Sequence, residues 1–164
     1  MSIQIRAIEP EDREQVVELL VNRWTSPEQL LDGEVVDASK LPGYLALDDG
    51  RLVGMITLIK RESEWEILTL DSLQRWGGIG TLLLDAAVDA ARQAGVGRIM
   101  VRTSNDNLDA FRFYQRRGFH LEKVVQGVID QERKLQPEIP VTGLHGIPLR
   151  DEVIFGRDIT GNWS

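Results

Sequence analysis

Residues 3–8, Ile-Gln-Ile-Arg-Ala-Ile, alternate apolar and polar with a period of two and read as a half-buried strand. Pro10, Glu11 and Asp12 then suit the first turn of a helix, which carries Val16, Val17, Leu19, Leu20 and Trp24 along one side. Pro27, Gly33 and Pro42 punctuate a mixed stretch, with a short helix expected over 27–32. Strands are expected over 43–47 and 52–59, joined by a hairpin at Asp48-Asp49-Gly50, and a third over 64–70. From Ile79 to Ala94 the period changes. Ile79, Leu82, Leu83, Ala86, Ala87, Ala90, Ala91 and Ala94 recur at the spacing of one helix face. A strand follows over 98–103, a helix from Leu108 to Arg117 stopped by Gly118, and two strands over 119–126 and 152–158. This order predicts one domain spanning 1–164, with a mixed sheet carrying helices on its faces.

The period changes across Gln74-Arg75-Trp76-Gly77-Gly78-Ile79-Gly80-Thr81. A turn needs one residue at positive φ, whereas Gly77, Gly78 and Gly80 together let bare amides come close to something bulky. With the positive end of a helix dipole behind them, these N–H groups suit phosphate. Leu83 stands where a Rossmann loop needs its third glycine, and no Walker lysine is near. The pattern left, Arg75-x-x-Gly78-x-Gly80, resembles the R/Q-x-x-G-x-G/A loop of the GNAT N-acetyltransferase superfamily. A second stretch, Asn107, Ala110, Phe113, Tyr114, Gly118 and Phe119, resembles that family's N-x-x-A-x-x-F/L-Y-x-x-x-G-F motif. Trp76 departs from the family pattern where glycine is usual after the arginine, and Ser72 where proline is frequent.

The resemblance implies an α/β (α+β) fold with a GNAT-like, mostly antiparallel twisted sheet flanked by helices on both faces. It implies acetyl-CoA as acyl donor, cradled by Leu68, Leu70, Gln74, Arg75, Trp76, Gly77, Gly78, Ile79, Gly80, Thr81, Asn107 and Tyr114. It further implies direct transfer to a primary amine of a small molecule or peptide in a ternary complex. A backbone N–H near Leu70 would meet the carbonyl oxygen, and Tyr114 would protonate the leaving thiolate. Glu66 and Glu64 alternate onto one strand face and are the candidate bases, Glu66 ahead; the bland alternative is a solvated edge. A non-catalytic acyl-CoA sensor or scaffold of the same fold is the second reading.

Composition narrows this picture. A net charge of −7 argues against nucleic acid or an anionic membrane as main partner. The absence of cysteine removes acyl-enzyme chemistry on a thiol and thiolate metal sites, and suits the cytoplasm. His120 and His145 are the only histidines, and neither has a triad context. No metal is expected. No apolar run approaches 18 residues and the N-terminus has no signal pattern, so no membrane association is expected. A homodimer is left open. Residues 25–42 and the Pro/Gly-rich 137–151 are expected to flank the acceptor, with Trp24, Tyr44, His145 and Arg150 as contacts.

Overall fold

The strands assemble into one seven-stranded sheet in the order β1-β4-β5-β6-β7-β9-β8. In chain order the main-sheet strands are β1 (Ile3–Ala7), β4 (Gly43–Asp48), β5 (Arg51–Lys60), β6 (Trp65–Ser72), β7 (Arg98–Ser104), β8 (His120–Val125) and β9 (Glu152–Asp158). A separate two-stranded hairpin pairs β2 (Glu28–Leu31) with β3 (Glu34–Asp37). The helices are α1 (Arg13–Trp24), α2 (Ile79–Gln93), α3 (Leu108–Arg116) and α4 (Val128–Leu135). This computed structural model describes residues 2–24, 26–73 and 78–160. Every neighbouring pair in the main sheet is antiparallel except β6 and β7. The expected mixed, mostly antiparallel sheet with flanking helices is the observed fold.

Each face of the sheet has its own core. On one, α2 buries Ile79, Leu83, Leu84, Ala87, Val88 and Ala91 against Ile56, Leu58, Trp65, Ile67, Ile99 and Phe155. Leu82, expected in that stripe, is instead 41% exposed, and Leu84 takes the buried position. On the other face, α1 buries Val16, Leu19 and Leu20 against Ala38, Leu45 and Met55.

Two elements differ from the sequence expectation. Residues 27–32 form the first arm of the hairpin rather than a helix. Asp32 and Gly33 hold φ of 52° and 81°, the turn that an Asp-Gly pair in a two-residue hairpin loop favours. Pro27 precedes the hairpin and starts no helix. Helix α4 was not expected at all; Gly127, at φ 74°, caps its start.

The single parallel contact shapes the middle of the sheet. β6 and β7 pair only from Trp65↔Ile99 to Ile67↔Val101, although both strands run on. Where they part, β6 carries a bulge against β5: Thr57 faces Thr69 while Leu58 faces Ile67, leaving Leu68 as the extra residue. A bulge bends its strand and sharpens its twist, so β6 leans away from β7 at this point.

At the start of α1, Arg6 grips Asp12 through two bonds, Nη1 to Oδ2 at 2.7 Å and Nη2 to Oδ1 at 2.8 Å. Asp12 Oδ2 also accepts from the Glu9 N–H at 2.8 Å. Hydrogen bonds from Arg6 outweigh the cost of burial and hold the Asp12 carboxyl down at about 2. A carboxyl depressed in the fold stabilises fully above its unfolded pKa, near 4, and loses that stabilisation as pH falls toward 2. Asp12→Asn should therefore lose about 2 kcal/mol at pH 7. In urea unfolding at a series of pH values, the gap between wild type and variant should close from pH 4 downward; a constant gap would show that the ion pair does not set it.

Candidate functional site

Helix α2 begins without a side-chain cap. Gly78 occupies its N-cap in the left-handed region, at φ 67°. The first ladder bond runs from the Leu82 N–H to the Gly78 carbonyl at 3.1 Å. The N–H groups of Ile79, Gly80 and Thr81 precede that ladder and carry the positive end of the dipole. Gly80 has a different task from Gly78. A Cβ there would stand 3.2 Å and 3.3 Å from the Phe113 ring, so the glycine lets α3 pack against the start of α2. Gln74, Arg75, Trp76 and Gly77 lie outside the described residues.

A cavity of about 790 Å³ opens at this helix start. It brings together Leu70, Gly78, Ile79, Gly80, Thr81, Asn107 and Tyr114, expected at the cofactor site from widely separated stretches. Leu68 does not join them: turned by the bulge, it packs on the α1 face beside Leu45 and Met55. Asn107 faces the cavity but also caps α3, its Oδ1 accepting from the Ala110 N–H at 3.1 Å. Arg23, Arg112, Arg116 and Arg117 line the same cavity, with Asp109 as its one acidic lining residue among the described residues. Net charge did not reveal this concentration of arginine in an acidic chain.

Tyr114 is buried among aromatic rings, 5.1 Å from Phe113, 5.2 Å from Phe119 and 6.0 Å from Phe155. Its hydroxyl makes no hydrogen bond among the described residues. Burial, and then the charge of Asp71, push the phenol well above its ordinary pKa, so it is protonated at neutral pH. Asp71, near the end of β6, was not singled out from sequence. Its Oδ2 accepts from Trp24 Nε1 at 3.0 Å, and Arg23 Nε lies 3.6 Å from Oδ1. Burial pushes its carboxyl up against the opposing pull of these partners. Arg23 also donates to the Ser72 carbonyl at 2.9 Å, fastening the end of α1 beside the cavity.

The two expected bases are held elsewhere. Glu66 lies on the α1 face, 1% exposed, between Arg61 Nη1 and Arg102 Nε, each 2.9 Å away. Arg102 reaches onward to Asp32 at the hairpin tip, at 2.6 Å and 3.1 Å, and to Glu152 at 3.6 Å. Burial pushes the Glu152 carboxyl up, and burial and then Glu152 do the same to Glu132 on α4. Glu64 accepts from Arg98 Nε at 2.6 Å, and Arg98 also binds Glu122. Neither Glu64 nor Glu66 lines the cavity.

Of the expected acceptor contacts, Tyr44 packs against the α2-side core, whereas Trp24 is the partner of Asp71. His145 and Arg150 are exposed on the tail loop, which is tied to the end of β7. Asn105 Oδ1 accepts from the N–H groups of Arg150 and Asp151, and Asp106 Oδ2 from that of Leu144 at 2.7 Å.

A sheet whose central strands part, a helix that starts at a left-handed glycine and a buried tyrosine meet at one cavity of a mixed α/β fold. The profile described as the acetyltransferase (GNAT) family matches residues 9–119, and the chain belongs to that family. It is 38% identical over 137 residues to the uncharacterized protein YxbD of Bacillus subtilis (strain 168), covering 83% of this chain and 86% of that one. A GNAT family acetyltransferase from Elizabethkingia anophelis with acetyl-CoA bound superposes at a TM-score of 0.69 and 17% identity, over 95% of this chain and 97% of that one. Arabidopsis thaliana Naa50, in complex with the bisubstrate analogue CoA-Ac-MVNAL, superposes at 0.70 and 23% identity, over 96% and 99%.

Glu66→Gln leaves a buried neutral amide against Arg61 and Arg102, although Arg102 keeps Asp32 and Glu152, and removing one partner of such a buried arrangement costs about 3 kcal/mol. Denaturant unfolding should show a loss of that size. A variant as stable as wild type would mean that the carboxylate is not holding Arg61 and Arg102 in place.

Proposed function

We propose that this protein is an N-acetyltransferase that passes the acetyl group of acetyl-CoA directly to a primary amine of a small molecule or peptide. The observation that carries this reading is the cavity joining the start of α2 to Tyr114, where β6 leaves β7. The diphosphate of the donor would lie on the N–H groups of Ile79, Gly80 and Thr81, and its arm would run along the unpaired part of β6. An extended chain of amides there would take the hydrogen bonds that a neighbouring strand otherwise makes. That acetyl-CoA and a CoA–peptide conjugate occupy two proteins of this fold supports the assignment.

In the reaction, the lone pair of a neutral amine nitrogen forms the N–C bond, the C–S bond then breaks, and the proton that the nitrogen gives up passes to water. The carbonyl oxygen carries the negative charge in between, near the backbone N–H of Leu70. Tyr114 Oη donates its proton toward the departing sulfur. A thiol has an ordinary pKa near 8.5, so the thiolate is tolerable unprotonated and the task is small. Burial weakens the phenol further as an acid, which makes its help a hydrogen bond to a developing anion more than a complete transfer. Glu66 and Glu64 are held by arginines away from the cavity; we assign them to holding the acceptor side of the sheet. We place the reaction in the cytoplasm, in keeping with the absence of cysteine.

Tyr114→Phe should slow single-turnover acetyl transfer at saturating acetyl-CoA by about ten- to a hundredfold, the lower range for general-acid catalysis. Donor affinity, measured separately by calorimetry, should hold within about twofold, since one neutral hydrogen bond contributes only about 1 kcal/mol. The wild-type assay is a panel of amines scored for free CoA. Unchanged transfer in the variant removes the acid role. Tight acetyl-CoA binding with no CoA release across the panel would favour a sensor or scaffold.

A further inference from the structure

Arg117 is a half-buried cation with no anionic partner among the described residues. Its Nε and Nη2 both donate to Thr81 Oγ1, at 2.9 Å and 2.6 Å, and its Nη1 to the Phe113 carbonyl at 2.9 Å. Its guanidinium lies 3.8 Å over the Phe113 ring. All of these partners are neutral. No carboxylate lies within 4 Å of it among the described residues. Burial, and then the like charge of Arg116, pull its pKa below the ordinary arginine value, with Asp85 opposing from further off.

Arginine in the last turn of a helix has an ordinary explanation, because a cation there complements the dipole. That covers the exposed Arg116. It does not cover Arg117, whose desolvated charge is unfavourable unless something negative meets it. Both face the cavity, and so does Arg112, whose partner is Asp109 at 3.1 Å. In a chain of net charge −7, four arginines line the cavity against one carboxylate, Asp109, among the described residues, which leaves room for an external anion.

We propose that Arg117, with Arg116 and Arg112, forms a subsite for a phosphate monoester, filled by the 3′-phosphate on the ribose of acetyl-CoA. This inference rests on the acetyl-CoA reading and adds a discriminating contact to it. Position supports the choice of group. Thr81, which Arg117 bonds, belongs to the first turn of α2, where the diphosphate would lie. The 3′-phosphate and the diphosphate hang from one ribose, so the two subsites should be neighbours, as they are. A planar guanidinium with N–H groups still unused presents a fork matched to phosphate oxygens.

The test compares acetyl-CoA with 3′-dephospho-acetyl-CoA by calorimetry on the wild-type protein and on Arg117→Gln and Arg116→Gln. The wild type should prefer acetyl-CoA by about ten- to a hundredfold, the range of charge-assisted hydrogen bonds. Arg117→Gln should shrink that preference to about threefold or less, with binding of the dephospho form unchanged. Arg116→Gln removes an exposed side chain that bonds nothing among the described residues. It should keep the wild-type melting temperature and lower the preference by a smaller factor. Equal affinity of the wild type for both ligands overturns the subsite. So does an equal loss for both ligands in Arg117→Gln with the preference intact in Arg116→Gln, which would make Arg117 a pin between helices. Failure of both ligands to bind the wild type instead removes the donor assignment itself.

Discussion

The parting of β6 from β7 is the constraint on which the rest of the structure depends. A parallel pair that stops after Ile67 and Val101 leaves the far half of β6 bounded on one side only, in the middle of the sheet. Such a gap exposes backbone groups that a continuous sheet would satisfy. The chain stabilises it from both sides. The Leu68 bulge bends β6 away, while on the α1 face Arg23 takes the Ser72 carbonyl and Asp71 takes the Trp24 indole. Helix α2 starts just beyond the gap and α3 lies beside it, which is why one cavity gathers residues 70 to 117.

Charge is distributed unequally between the two faces. On the α1 side, Glu66, Asp32 and Glu152 share Arg102, with Arg61 completing the shell of Glu66. Carboxylates there meet guanidinium groups from other strands and from the hairpin, so internal charge is largely matched. On the cavity side, Arg117 meets neutral oxygens and a ring among the described residues. Matched charges act as structure, whereas an unmatched one sets up a field for a ligand. This contrast separates residues that look alike in sequence: Arg102 and Arg117 are both arginines near strand or helix ends, and only their partners tell them apart.

Much of this was legible in the residues because the elements are locally consistent. The period of two over Ile3–Ile8, the helical stripe after Ile79 and the glycine stop at Gly118 each match an observed boundary closely. The hairpin over residues 28–37 was missed because Pro27 suggested a helix start, although Asp32-Gly33 was the stronger signal. Helix α4 begins after a glycine with no side-chain cap, so no cap residue marked it. The site was legible as a set of positions and illegible as a set of partners. The family resemblance suggested Glu66 and Tyr114 for the chemistry, but Arg61 and Arg102, which enclose Glu66, come from other strands or strand ends, and nothing in the local sequence ties them to it.

The glycines show the same limit more sharply. A run of Gly77, Gly78 and Gly80 invites a single explanation, close approach of a phosphate. Gly78 is required by its left-handed φ, whatever binds, because a side chain there strains the backbone even in open space. Gly80 packs tightly on the Phe113 ring, which a Cβ would press back by a few tenths of an ångström. Both conditions hold in the free protein. Replacing either glycine therefore disturbs the helix start before it disturbs a ligand, and a loss of donor binding in such variants would not locate the phosphates. The side chains of Arg116 and Tyr114 offer cleaner probes: each reaches the cavity from α3, and Arg116→Gln or Tyr114→Phe changes a functional group without altering backbone conformation.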